Sequence, residues 1–178
     1  MPAIAEEAGV ALKTVYIYFQ TKAALVHALW DARLGGDEAE LPVLEREWYR
    51  DVVDEPNPER RLRLVAAQAR RVKARSGALL EMIRTAASAD PEIATLWGDI
   101  ETKLLDVQRS IVEQLHATGS LATSLDVTRA TDILWTLNHP AVWQLLVAGR
   151  GWTGEEYERW LGDVFCVQLL DAGRAPAG

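Results

Sequence analysis

The 178-residue sequence has little cysteine, little histidine and no long uninterrupted apolar run. The single cysteine, Cys166, cannot form a disulfide within one chain, so a reducing compartment suits the protein, and we predict a cytoplasmic location. No apolar run approaches the roughly 18 residues that a membrane-spanning helix needs. No basic-then-apolar signal segment opens the chain. The sequence therefore predicts a protein without a membrane partner.

Motifs of catalysis and of metal binding are also missing. His27, His116 and His139 lie far apart, and there is no His-x-x-x-His pair, no glycine-rich phosphate loop and no nucleophile elbow. The acidic stretches lack the Glu-x-x-His spacing of di-iron bundles. We therefore expect no enzyme activity, no metal and no cofactor.

Helical spacing of apolar residues runs through nearly the whole chain, without a convincing period-2 strand pattern. Caps, prolines and glycines divide it into about seven or eight helices, which predicts an all-α protein. The expected segments are a helix from Thr21 through Leu34 to Gly35-Gly36, a helix from Asn57-Pro58 to about Arg75, Gly77–Ala89, a long helix from Asp90-Pro91 to near Gly119, Asp126–Ala148 with a break at His139-Pro140, and a last helix from the Thr153/Glu156 capping box to about Asp171.

Charge is unevenly distributed, although the net charge of −7 argues against a general nucleic-acid binder. Asp37–Glu59 holds nine acidic and two basic residues, and Arg60–Arg75 holds seven basic and no acidic ones. The basic stretch has two interpretations. It forms a surface for DNA or an acidic partner, or it is a solvated helix face that pairs with the acidic stretch before it.

The first residues carry the pattern of a helix-turn-helix. Ile4–Val10 predicts a short helix that ends in a glycine turn, and Leu12–Phe19 predicts a second short helix. Ala5 is small where the second helix must cross closely, and Gly9 suits the left-handed turn. Apolar residues expected to fill the space between the helices are Ile4, Ala8, Val10 and Val15.

Three stretches sharpen the pattern: Ile4-Ala5-Glu6-Glu7-Ala8-Gly9-Val10, Thr14-Val15-Tyr16-Ile17-Tyr18-Phe19 and Thr21-Lys22-x-x-Leu25. Together they closely resemble the DNA-binding signature of the TetR family of repressors. The resemblance implies that Lys13 and Ile17 face the major groove and that Leu12 adds an apolar contact to a thymine methyl. It further implies phosphate contacts from Thr14, Tyr16, Tyr18 and Lys22.

The sequence departs from the family in three respects. Family members have a first helix before the position of Ile4, usually preceded by basic residues, so we expect a misplaced or truncated start. Ala11 stands where the family usually has a Ser or Thr helix cap. Residues 1–34 carry three acidic and three basic side chains, so the predicted DNA-binding region has no net charge. Two functions therefore stay open: a ligand-responsive DNA-binding regulator, and a helical ligand-binding or dimerisation protein that has lost DNA binding.

The resemblance implies two domains: a truncated helix-turn-helix domain over residues 1–34, and a helical ligand-binding and dimerisation domain over residues 37–172. We expect a homodimer formed through the last two helices, operator DNA as a partner, and a small apolar or aromatic inducer. The expected interface residues are Tyr157, Trp160, Leu161, Val164 and Phe165. The expected pocket residues, each also readable as ordinary core, are Met82, Trp97, Leu104, Trp135, His139 and Trp143.

Overall fold

A computed structural model describes residues 1–35 and 45–171. Within these ranges the regular elements are helices, which confirms the all-α prediction, and none of them is long and apolar enough to cross a bilayer. The helices are α1 (Pro2–Glu7), α2 (Leu12–Tyr18), α3 (Lys22–Gly35), α4 (Glu47–Asp54), α5 (Pro58–Ala87), α6 (Pro91–Ala117), α7 (Val127–Leu137), α8 (Pro140–Trp143), which continues as a π-helical turn over Gln144–Ala148, and α9 (Gly154–Leu169). Gly36, the predicted domain boundary at 37 and the predicted domain end at 172 lie outside the described residues.

Four of the predicted helix starts are confirmed by side-chain caps. Thr21, Asn57, Asp90 and Thr153 each accept the backbone N–H of the residue three positions further on, at distances of 3.0, 2.9, 3.4 and 3.1 Å. Glu156 returns the contact by accepting the backbone N–H of Thr153 at 2.7 Å, which completes the capping box of α9. These short-range signals fixed the starts because each needs only residues within one helical turn.

Helix α5 is continuous where the sequence predicted a stop near Arg75 and a separate segment from Gly77. Gly77 lies inside the helix, and a neighbouring aromatic ring packs closely beside it. A Cβ on Gly77 would lie 3.1 Å from Trp143 Nε1, and Gln144 Nε2 donates to the Gly77 carbonyl at 2.9 Å. The glycine therefore serves close helix packing rather than helix termination.

Helix α4 was not predicted, since its sequence was grouped with the acidic stretch. Tyr49 and Val52 form its buried face, and the Tyr49 hydroxyl hydrogen-bonds Ser110 of α6. Arg61 is buried and donates to the Val53 and Glu55 carbonyls at the end of α4. These carbonyls would otherwise lack partners at the helix terminus, so Arg61 fixes α4 against α5.

Two apolar clusters organise the helices. The larger one packs α4 to α9 around α5, and it includes the fully buried side chains of Leu62, Leu134 and Phe165. The smaller cluster joins α3, α5 and α6 around Trp30 and Ile83. Helices α5 and α6 belong to both clusters and connect them.

The basic residues of α5 pair with α9 rather than only with the acidic stretch before them. Arg63 lies 2.8 Å from Asp163, and Arg70 hydrogen-bonds Glu158. These two arginines therefore form ion pairs within the chain, as the second interpretation of the basic stretch expected. Their partners, however, lie on α9 and not in the preceding acidic stretch.

The predicted break at His139-Pro140 is confirmed. Helix α7 ends at Leu137, and α8 begins at Pro140 with His139 as its cap, since His139 Nδ1 accepts the backbone N–H of Ala141 at 3.1 Å. Proline has no N–H to donate to the preceding turn, which explains the interruption.

Candidate nucleic-acid interface

The turn between α1 and α2 is a compact glycine-based helix stop. Gly9 has a φ of +64°, in the left-handed region that glycine adopts without strain. Its N–H donates to the Glu6 carbonyl at 3.1 Å, and the Val10 N–H donates to the Ala5 carbonyl at 3.0 Å. This pair of bonds is the Schellman arrangement, which satisfies the last carbonyls of α1 and sends the chain directly into α2.

The two short helices share a small apolar core. Ala5 and Val15 are buried against Met1, and Phe19 packs partly against them. Ile4 and Val10, which were expected to fill the same space, stay 39% and 43% exposed. Of the four residues expected to fill this space, Val15 is buried, whereas Ile4, Ala8 and Val10 are exposed.

Helix α2 turns most of its side chains outward. Ile17 and Tyr18 are 67% and 76% exposed, Leu12 and Tyr16 are exposed to a lesser degree, and Thr14 is half-buried. A solitary seven-residue helix buries only Val15 in its own chain. Its exposed side chains are Leu12, Lys13, Tyr16, Ile17 and Tyr18.

Two further features lie at the helix starts beside this face. Ala11 precedes α2 without any side-chain cap, as the sequence predicted. Lys22 is exposed in the first turn of α3, whose cap is Thr21. The positive end of the α3 dipole and the Lys22 ammonium therefore point to the same region of the surface.

Helix α3 connects this module to the larger body. Trp30 is buried among side chains of α5 and α6, including Ile83 and Leu96. Nearer the module, a cleft of about 500 Å³ separates α3 from α6. Its lining residues are Ala23, Ala24, His27, Ala28, Glu92, Thr95, Leu96 and Asp99.

Comparison with known protein families gives a match for this region. Residues 1–29 match the family model of bacterial regulatory proteins of the tetR family. The match covers α1, α2 and the first half of α3, so this region is similar to the family's N-terminal module. The match supports a DNA-binding transcriptional regulator. A search of curated proteins and a search of solved structures each found no match for the chain.

Away from the matched region, the structure brings together part of the predicted pocket set. The His139 ring lies between two tryptophans, with centroids 6.2 Å from Trp97 and 5.0 Å from Trp135. Its Nε2 lies 3.6 Å from Glu101. These four side chains come from α6 and the α7–α8 joint, and all are only partly buried.

The remaining pocket residues lie elsewhere. Trp143 is buried in the large core, with its ring 4.9 Å from that of Tyr157. Leu104 packs against the smaller cluster around Trp30, and Met82 is 45% exposed on α5. None of the six predicted residues lines the cleft between α3 and α6.

The predicted interface set divides in two. Tyr157, Leu161 and Phe165 are fully buried within the chain, so their side chains have no surface left to offer a partner. Trp160 and Val164 stay partly exposed on α9. Helix α9 packs against the core of its own chain through the first three residues. A helix that is apolar on two sides does not reveal from its sequence which side faces inward.

A buried polar cluster was missed by the sequence analysis. Lys73, almost fully buried on α5, donates to Asn138 Oδ1 at 2.6 Å and to the Tyr157 hydroxyl at 2.7 Å. Asn138 in turn donates to Gln108 Oε1 at 3.3 Å. One signal was present in the sequence, because Lys73 lies four residues after Ala69 on the apolar side of α5, where a charged residue is unexpected.

Proposed function

We propose that the chain represses transcription by placing α2 in the major groove of an operator, and that a small ligand relieves this repression. The outward face of α2 carries the proposal, since it holds large exposed side chains on a helix-turn-helix module. The acting compartment is then the cytoplasm, where bacterial DNA lies, and the regulator needs no catalysis.

The assignment of roles follows the family resemblance and the exposure of each side chain. Lys13 and Ile17 read base edges, and Leu12 contacts a thymine methyl. The residues assigned to the phosphate backbone are Thr14, Tyr16, Tyr18 and Lys22. Hydroxyl donors and an ammonium near a helix start suit phosphate oxygens, which fix the register of the protein on the duplex.

We propose that the functional unit is a homodimer that contacts its partner through α9 and the preceding π-helical turn. Trp160 and Val164 are partly exposed there, Val167 is 76% exposed and Leu145 is 67% exposed. Large apolar side chains at the surface favour association with another apolar surface. Two copies are needed because one α2 reads only half of a two-fold operator site.

The proposed ligand response uses the C-terminal domain, residues 37–172, as sensor and residues 1–34 as reader. The proposed ligand-contacting residues are those of the predicted set that lie together, His139 and the two rings that contact it, Trp97 and Trp135. Helix α3 transmits the response, because Trp30 ties it to α5 and α6. A change in the packing of α6 would alter the angle of α3 relative to the C-terminal domain. It would thereby change the separation of the two helix-turn-helix modules in the dimer.

The test is binding to the DNA that flanks the chain's own gene, measured by fluorescence anisotropy over a series of salt concentrations. Lys13→Ala is expected to weaken binding, and Lys103→Ala is the matched control, since Lys103 is an exposed lysine on α6. If Lys13 contacts DNA, its loss should cost about 1–3 kcal/mol of binding free energy. Equal affinities of the two variants, or no salt-dependent binding by the wild-type chain, would overturn the proposal.

One observation favours the second candidate, a helical ligand-binding or dimerisation protein that has lost DNA binding. Ile4 and Val10 expose apolar surface in the reading module, and the module carries no net positive charge. A dimer that binds a small ligand but shows no affinity for the flanking DNA at low salt would establish this alternative.

A further inference from the structure

Four helices meet at the buried polar cluster of Lys73, Gln108, Asn138 and Tyr157. Lys73 comes from α5, Gln108 from α6 and Tyr157 from α9, while Asn138 ends α7. Lys73 is 5% exposed, and its Nζ lies 5.1 Å from the centroid of the Tyr157 ring as well as within hydrogen-bond distance of the hydroxyl. We name this group the lysine node.

The lysine node contains no negative charge. In the described part of the chain, the side chains that accept from Lys73 Nζ are an amide oxygen and a hydroxyl. Burial without a compensating carboxylate lowers the pKa of Lys73 to about 7. A buried ammonium without a counter-ion is a costly arrangement, and an arriving anion would remove that cost.

Charged groups near the lysine node are already engaged with one another. Arg70, one turn before Lys73 on α5, is paired with Glu158 of α9. Glu101 of α6 faces His139 at 3.6 Å. The groups that face Lys73 from α6, α7 and α9 are thus the neutral Gln108 and Asn138 and the phenol of Tyr157, whose pKa is raised by burial. None of them supplies the missing negative charge.

An aromatic surface adjoins the lysine node at its outer side. Asn138, which contacts Lys73, is followed directly by His139, and the His139 ring contacts Trp97 and Trp135. Asn138, His139 and both tryptophans are partly exposed, whereas Lys73 and Gln108 are buried. The partly exposed aromatic group therefore begins one residue along the chain from the amide that contacts the buried ammonium.

We propose that this site binds an aromatic carboxylate whose ring packs on Trp97 and Trp135 and whose carboxylate replaces Asn138 Oδ1 at Lys73 Nζ. The proposal rests on the proposed function in that it names the chemical class of the inducer. A charge-assisted hydrogen bond to a carboxylate is stronger than the neutral amide contact that it displaces.

Displacement of Asn138 would couple ligand binding to the packing of neighbouring helices. Asn138 is the last residue before the His139 cap of α8, and its amide also donates to Gln108 of α6. When the carboxylate takes the place of the amide, Asn138 has to turn away, so the α7–α8 joint and the contact with α6 change together. Helix α6 also packs against α3 around Trp30.

The experiment is isothermal titration calorimetry of the full chain, without DNA, with benzoate, phenylacetate and 2-naphthoate as probes. Titrations at pH 8 in HEPES and in Tris report proton uptake, because the two buffers differ in ionisation enthalpy. At pH 8 Lys73 is mostly neutral, so carboxylate binding should take up close to ~1 proton per ligand. Benzamide, which has the same ring and no charge, should bind more weakly by about tenfold or more.

Lys73→Met should abolish both the binding and the proton uptake, and Lys103→Met is the matched control, which should keep both. Circular dichroism checks that each variant is folded, and Lys73→Gln is the second variant if Lys73→Met is not. Unchanged affinity in the folded Lys73 variant, equal binding of benzamide, absence of proton uptake, or no saturable binding of any of the three acids would overturn the proposal. Failure of DNA binding would leave these measurements unaffected, so the two proposals fail separately.

Discussion

Lys73 Nζ and the Tyr157 hydroxyl lie 2.7 Å apart in the core, where α5 packs against α9. Both side chains are buried, and burial lowers the pKa of the lysine to about 7 while it raises the pKa of the tyrosine. The pair is therefore most stable with both groups neutral. A core contact between two uncharged but titratable groups makes the stability of the fold depend on pH.

The free energy of unfolding is expected to rise between pH 7 and about pH 9.5. The pKa of Lys73 is about 7 in the folded chain and close to 10.5 in the unfolded chain, so between these values the unfolded state binds more protons. Raising the pH then favours the folded state by up to roughly 1.4 kcal/mol per pH unit. Below pH 7 the cost of the buried ammonium is fully present and stays constant. Urea denaturation at several pH values, followed by circular dichroism, measures the slope.

Lys73→Met is the control for this slope. Methionine fills a similar volume without charge. The free energy of unfolding of the Lys73→Met variant should therefore show no rise over the same pH range, and near pH 7 it should exceed that of the wild-type chain. A slope that persists in Lys73→Met would assign the pH dependence to other groups. The range ends at about pH 9.5 because deprotonation of Tyr157 in the unfolded state begins to oppose folding above it.

Gly77→Ala is expected to destabilise the body of the protein. The new Cβ would lie 3.1 Å from Trp143 Nε1 and 3.3 Å from Cδ1, so the indole ring must move within a packed core. Such overpacking costs about 1–3 kcal/mol, against a gain of up to ~1 kcal/mol in helix propensity. Gly98→Ala is the matched control, since a Cβ on that helical glycine of α6 meets nothing within 4 Å. Thermal melts should show the control equal to or above the wild type, and a stabilised Gly77→Ala would contradict the packing role.

Thr153→Ala is expected to lower stability by about 1 kcal/mol, because it removes one half of the capping box and leaves the Glu156 N–H without its acceptor. Thr102→Ala is the control: Thr102 is exposed within α6, and its hydroxyl only donates to the Gly98 carbonyl one turn earlier. Alanine favours a helix interior over threonine, so the control should be neutral or slightly stabilised. Equal losses in the two variants, measured by chemical denaturation, would refute the capping role.

Local signals in the sequence predicted the helices well, and the reason is visible in single residues. The caps at Asn57 and Thr153 and the break at Pro140 act within one turn, so their effect can be read without knowing the fold. Gly77 shows where this fails. It resembles a helix stop when read locally, but its conformation is decided by Trp143, which lies 66 positions away in the sequence.

The candidate sites were predicted less completely, for a related reason. The exposure of Leu12, Tyr16, Ile17 and Tyr18 agrees with the family pattern, and their contacts with DNA stay a prediction. The burial of Tyr157 and Lys73 was not predicted, because it depends on contacts between distant helices. An apolar face of α9 can pack on α5 or on another chain with the same sequence pattern, and a lysine on an apolar face becomes a buried titratable group only when four helices close around it.

Ile17→Ala and Val15→Ala are expected to separate DNA recognition from folding of the reading module. Ile17 is 67% exposed, so its truncation should change stability by no more than about 0.5 kcal/mol while it weakens binding to the DNA flanking the gene. Val15 is buried between α1 and α2, and its truncation should destabilise the module by about 1–3 kcal/mol. Thermal melts and anisotropy titrations on the same samples measure both effects. Wild-type DNA affinity in all three variants Ile17→Ala, Tyr16→Ala and Lys13→Ala would contradict the proposal that α2 is the DNA-recognition helix. No contact on its exposed face would then contribute to binding.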